Sequence, residues 1–130
     1  MIKVGIIGFG YMGHFHYEKA GHFDDVKVVA AFDTDSEKLD EASGLGMRVY
    51  DSLEEFLLEE LDLVVIATPN QWHAPYAIAA MKAGKNVLCE KPATMSVEEI
   101  EDVIKVSEET GKFFTVHQQR RFDKDYRSEE

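Results

Sequence analysis

Ile2-Lys3-Val4-Gly5-Ile6-Ile7-Gly8-Phe9-Gly10-Tyr11-Met12-Gly13 decides how the rest of the chain is read. A short apolar run passes directly into the pattern G-x-G-x-x-G, and a helical stretch follows through about Phe23. In a strand–turn–helix of this kind the first glycine permits the tight turn and the second lets the backbone approach a pyrophosphate. The third lets the helix pack closely on the strand, and the helix N-terminus presents free N–H groups and the positive end of its dipole. Gly8, Phe9, Gly10, Tyr11, Met12 and Gly13 are therefore the candidate phosphate loop. The glycines alone also fit a structural turn or a methyltransferase cofactor loop, so the neighbouring stretches must decide.

Working outward, Val26-Lys27-Val28-Val29-Ala30-Ala31-Phe32-Asp33 reads as a second strand ending in an acid twenty residues after Gly13. A carboxylate there can accept hydrogen bonds from the adenosine ribose hydroxyls. Asp33 and Asp35 would both repel a 2′-phosphate, and no arginine follows to hold one, so NAD is expected rather than NADP. The competing reading has Asp33 merely opening the next helix, where Thr34-x-x-Glu37 spells a capping box.

The middle of the chain alternates strand and helix. A helix is expected from about Ser36 to Ala42, stopping near Gly44 in a C′ position, then a short strand from Met47 to Tyr50. Ser52-x-x-Glu55 reads as a capping box for a helix that buries Leu53, Phe56, Leu57 and Leu61. Leu63-Val64-Val65-Ile66-Ala67 is apolar throughout, as a parallel strand covered on both faces should be. The next helix, from about Gln71 to Ala83, is apolar nearly all round and ends at Gly84.

Ser96-x-x-Glu99 opens a further helix whose expected buried stripe is Val97, Ile100, Val103, Ile104 and Ser107. Gly111 ends it before a sixth strand, Phe113 to His117. The expected fold class is α/β, a Rossmann doubly wound parallel sheet with strand order 3-2-1-4-5-6.

Two strand ends carry further candidates. Thr68-Pro69-Asn70 follows the fourth strand, with His73 in the first turn of the next helix; these side chains could border a nicotinamide or a substrate. A lone histidine there also suits capping or packing. The fifth strand, Val87-Leu88-Cys89, runs into Glu90-Lys91-Pro92, which places Lys91 where chemistry collects in open α/β sheets.

Composition narrows the classes. At 130 residues, 45% apolar and 30% charged, the chain is expected to form one domain with a single core. The net charge of −11 speaks against a nucleic-acid partner, which needs a basic face. No apolar run is long enough for a membrane span, and the opening residues lack a signal-peptide pattern. The single cysteine, Cys89, excludes an internal disulfide framework and fits a cytoplasmic location. No metal-ligand spacing stands out, so no metal site is expected.

Four blocks in order resemble the N-terminal domain of the glucose–fructose oxidoreductase/inositol dehydrogenase (Gfo/Idh/MocA) family. They are the glycine loop with His16, then Asp33, then Ala67-Thr68-Pro69-Asn70 with His73, and finally Ala83-Gly84-Lys85-Asn86-Val87-Leu88-Cys89-Glu90-Lys91-Pro92. Gln119-Arg120-Arg121-Phe122 is similar to the family's Asn-Arg-Arg-Phe/Trp segment, with Gln119 in place of asparagine. The resemblance implies NAD(P)-dependent oxidation or reduction of a sugar, cyclitol or related hydroxyl/carbonyl substrate. It gives Lys91 the catalytic role of positioning nicotinamide and substrate and assisting proton transfer, with Glu90 orienting it or lining the cofactor site. A lysine base near neutral pH needs a lowered pKa, whereas an acid or electrostatic stabiliser does not.

The family's second domain, which holds most of the substrate pocket and the interface of a homo-oligomer, has no counterpart here. The expected division is a cofactor domain over 1–118 and a connecting stub over 119–130, in a truncated chain that binds cofactor with little turnover. The alternatives are a non-catalytic NAD(H)-binding sensor or docking module, an S-adenosylmethionine-binding domain, and a half-domain that associates through its bared surface.

Overall fold

The computed structural model describes residues 2–68, 73–90 and 96–117. Strand and helix alternate as β1 (Ile2–Ile7), α1 (Tyr11–Ala20), β2 (Val26–Phe32), α2 (Ser36–Gly44), β3 (Arg48–Tyr50) and α3 (Leu53–Phe56). Then come β4 (Leu63–Ile66), α4 (His73–Lys82), β5 (Asn86–Glu90), α5 (Val97–Thr110) and β6 (Phe114–His117). The sheet is six-stranded and parallel in the order β3-β2-β1-β4-β5-β6, the doubly wound order expected from the sequence.

Parallel strands place successive side chains on opposite faces, so an apolar run serves two cores at once. Ile7, Val64, Ile66, Val87 and Cys89 face α3, α4 and α5, joined by Phe32, Phe56, Ala77 and Met81. Val4, Ile6 and Val65 face α1 and α2, with Phe9, Ala42 and Met47. Ile6, Ile7, Val64 and Ile66 are fully enclosed. Each such side chain contributes about 1.5–3 kcal/mol by leaving water. Among the described residues, no helix is long and apolar enough to cross a membrane.

The edge strand β3 is held by a charged brace. Arg48 donates from Nη2 to Glu59 Oε1 at 2.7 Å and from Nε to Oε2, and the Tyr50 hydroxyl donates to the same carboxylate. Lys85 Nζ reaches the Glu59 carbonyl at 2.8 Å. Chiefly through the Arg48 hydrogen bonds, the Glu59 carboxyl is held down at about 2.

Several local expectations are corrected. Helix α1 ends at Ala20, with Gly21 as its cap, rather than at Phe23, which is exposed. Gly44 lies inside α2; the left-handed turn after it falls to Gly46, at φ +96°. The cap of α2 is Asp35, whose Oδ1 accepts from the Glu37 N–H, not Thr34. Helix α3 is a single turn that buries Phe56, while Leu58 just beyond it is 84% exposed.

On α5 the core takes Val103 and Val106, whereas Val97, Ile100 and Ile104 are 70%, 45% and 50% exposed. The two apolar rows lie side by side on the helix, and packing against α4 and the sheet selects the row containing Val106. The Ser96–Glu99 capping box forms in both directions, and Gly111 closes the helix at φ +73°.

Candidate functional site

The loops after β1, β2 and β4 leave the same rim of the sheet. Ile7 pairs with Phe32 on one side and Ile66 on the other, so β1 is the strand from which the order runs outward both ways. A crevice at that switch point is where open α/β sheets take ligands. Hydrogen bonds fasten the rim: the Gly8 N–H donates to the Phe32 carbonyl and the Ala67 N–H to the Ile7 carbonyl, both at 2.8 Å.

Two of the three loop glycines are explained by the protein's own packing. Gly8 has φ +90°, and a Cβ on it would stand 2.6 Å from Thr68 Cγ2 and 3.0 Å from the Thr68 nitrogen. A Cβ on Gly13 would stand 2.5 Å from the Gly8 carbonyl oxygen. The first contact requires the Thr68 side chain to move and the second the backbone at Gly8.

Gly10 differs. Its φ of −88° is not left-handed, and among the described residues the position of its absent Cβ meets Lys38 Cε at an unstrained 3.6 Å. Neither a left-handed φ nor a close contact among the described residues asks for glycine there, and its ψ of −148° lies outside the usual strand and helix ranges.

Gly10 is also the N-cap of α1. No side chain caps that helix, and its first turn carries no acid. The leading N–H groups and the dipole are thus presented to the crevice, an arrangement suited to an anion.

Phe9 turns its ring into the core, 4.2 Å from His14 and edge-on to Tyr17 at 6.4 Å, so it offers the site no side chain. Its N–H donates to Asp33 Oδ2 at 2.8 Å, while Asp33 Oδ1 accepts from the Asp35 N–H at 2.9 Å. Asp33 therefore ties the glycine loop to the end of β2. Each carboxylate oxygen retains a further lone pair with which to accept a ribose hydroxyl.

Tyr76, which the sequence marks only as part of an apolar helix, joins this corner. Its ring stands edge-on to Phe32, 6.0 Å away, and burial together with the Asp33 charge raises its phenol pKa.

Of the remaining candidates, Thr68 packs under Gly8, and Tyr11 and Met12 contribute the first helical turn of α1. Glu90 is the last residue of β5, in register with His117, and His73 begins α4. Pro69, Asn70 and Lys91 lie outside the described residues, as do Gln119, Arg120 and Arg121. Because β5 is parallel to β4 and adjacent to it, the Glu90 end of β5 belongs to the same rim as the glycine loop. No group of three or more metal-binding side chains occurs among the described residues. An open cleft of about 550 Å³ between the end of α1 and the start of β2 lies at the opposite rim, away from these groups.

Comparison with known proteins agrees with this fold. Residues 2–118 match the Gfo/Idh/MocA family, described as "Oxidoreductase family, NAD-binding Rossmann fold". An NAD-binding protein from Listeria innocua is 41% identical and superposes with a TM-score of 0.88, over 96% of this chain and 37% of that one. The WlbA dehydrogenase from Bordetella pertussis, solved with NADH and UDP-GlcNAcA, is 30% identical with a TM-score of 0.84, over 89% of this chain and 34% of that one. A glycosyl hydrolase family 109 protein from Shewanella pealeana is 32% identical over 126 residues, 85% of this chain and 27% of that relative. The chain thus spans about a quarter to two fifths of the length of these relatives. It belongs to the Gfo/Idh/MocA oxidoreductase family, as its N-terminal NAD-binding Rossmann domain.

Proposed function

We propose that this chain is the NAD(H)-binding part of an oxidoreductase acting on a sugar, cyclitol or related hydroxyl/carbonyl substrate. The observation that carries the reading is Gly10: a glycine that neither a left-handed φ nor a close contact among the described residues demands, at the start of α1 that no side chain caps, beside a carboxylate at the end of β2.

In this reading the backbone from Gly8 through Phe9, Gly10, Tyr11 and Met12 to Gly13 receives the diphosphate, and Asp33 accepts from the adenosine ribose hydroxyls. NAD is preferred because a 2′-phosphate would face both Asp33 and Asp35. Thr68, Pro69, Asn70 and His73 border the nicotinamide, and Glu90 orients Lys91.

Nicotinamide, when bound, supplies or takes up the hydride. Lys91 binds the reacting oxygen of the substrate, donates or accepts its proton, and stabilises charge that develops there. Orientation of the reacting carbon needs cover on the open side of the crevice. Much of the length of the relatives lies outside this chain, and on its own the chain binds cofactor with little turnover. A cytoplasmic setting, suggested by the lone cysteine, belongs to the same proposal.

The test is a fluorescence titration of the purified chain with NADH and, separately, NADPH. The expected result is saturable NADH binding, with NADPH at least about tenfold weaker from like-charge repulsion. An absence of NADH binding, or saturable binding of S-adenosylmethionine instead, would overturn the assignment.

A further inference from the structure

Lys38 has no part in the sequence reading of the site, yet the fold sends its side chain there. Capped by Asp35, α2 begins immediately beyond Asp33, and the Lys38 N–H closes on the Asp35 carbonyl at 3.1 Å. From this first turn the side chain runs back across the crevice mouth. Its Cε lies 3.6 Å from where a Cβ on Gly10 would be. The ammonium group is 3.9 Å from Asp35 Oδ2, and both partners are partly exposed at 40% and 48%. An exposed pair at that distance holds its lysine weakly.

We propose that Lys38 is a cofactor-binding residue whose ammonium group exchanges Asp35 for the diphosphate of a bound dinucleotide. The inference rests on the dinucleotide reading above. Gly10 is the point of closest approach between backbone and diphosphate, and the lysine stem occupies that space when no ligand does. An entering dinucleotide must displace it, and the flexible stem lets the charge swing onto phosphate oxygens as a point cation.

The exchange also answers an electrostatic problem. Asp33 and Asp35 stand beside a loop that must accept a polyanion, and Lys38 offsets their field on the diphosphate side. A 2′-phosphate at the Asp33 end would still meet both carboxylates. Lys38 therefore strengthens dinucleotide binding in general rather than selecting NADP.

The experiment compares the parent chain with Lys38→Met, which keeps the stem and removes the charge, by calorimetric titration with NADH, ADP-ribose and adenosine at low and moderate salt. Circular dichroism confirms that the variant is folded. NADH and ADP-ribose should each bind about tenfold more weakly, the loss of one charge-assisted contact. Their salt dependence should flatten, adenosine affinity should be unchanged, and Lys38→Arg should recover most of the loss. Unchanged NADH affinity in Lys38→Met would overturn the proposal, as would an equal loss for adenosine. If the parent chain binds neither NADH nor ADP-ribose, the dinucleotide reading itself falls, and this inference with it.

Discussion

Helices α1 and α5 begin in opposite ways. The start of α5 is closed on itself: Ser96 Oγ accepts from the Glu99 N–H at 3.1 Å, and Glu99 returns the bond to the Ser96 N–H at 2.9 Å, with two acids in the first turn. Helices α2 and α3 are closed similarly, by Asp35 and Ser52. The start of α1 has a glycine, no capping side chain and no acid. A capping side chain is worth about 1 kcal/mol over alanine but only a few tenths over glycine, so α1 gives up little stability by starting at Gly10. The difference separates helix starts closed by their own side chains from one that no side chain closes, the one to which the proposed function assigns the diphosphate.

The comparison can be broken most severely by making α1 resemble α5. Gly10→Asp supplies a capping carboxylate where φ and space permit one. It should leave stability equal or raise it by a few tenths of a kcal/mol. NADH affinity should fall at least about a hundredfold, because the new charge sits where the diphosphate approaches. Thermal melts and NADH titration on one preparation read both effects. A variant that keeps its affinity would remove the case for Gly10.

Gly13→Ala separates the glycines from one another. Its methyl group meets the Gly8 carbonyl oxygen, so this change should cost about 1–3 kcal/mol in urea unfolding. Gly10→Ala, with no such contact, should cost less, about 0.5–1 kcal/mol for the poorer N-cap. The mildest change, Ser96→Ala, should cost about 1 kcal/mol while leaving NADH binding as it was, since the α5 cap serves only the fold.

Much of this was legible in the chain itself. Strand order follows from apolar runs alternating with helical stretches, because crossover handedness leaves few alternatives. The strand–turn–helix around Gly8 and Gly13 was legible because a left-handed turn and a close helix–strand contact each call for glycine at a fixed spacing. Finer placement was not. Thr34 and Asp35 are both good caps, and which one acts depends on the path of the chain leaving β2. Adjacent apolar rows on α5 are equally periodic, and only tertiary packing chooses Val106 over Ile104. Tyr76 meets Phe32, and Lys38 meets Gly10, across distant parts of the sequence, where periodicity carries no information.

The double attachment of Asp33 has a consequence for anyone redesigning cofactor selectivity. The obvious step toward a phosphorylated ribose is to replace that aspartate with a small neutral residue. The same step would strip the acceptors from the Phe9 and Asp35 N–H groups, one in the glycine loop and the other at the start of α2. Each orphaned donor must then find water or shift. On the proposed function, selectivity and loop rigidity rest on one carboxylate, and a retuned variant would need a second substitution to restore the scaffold that the first had loosened.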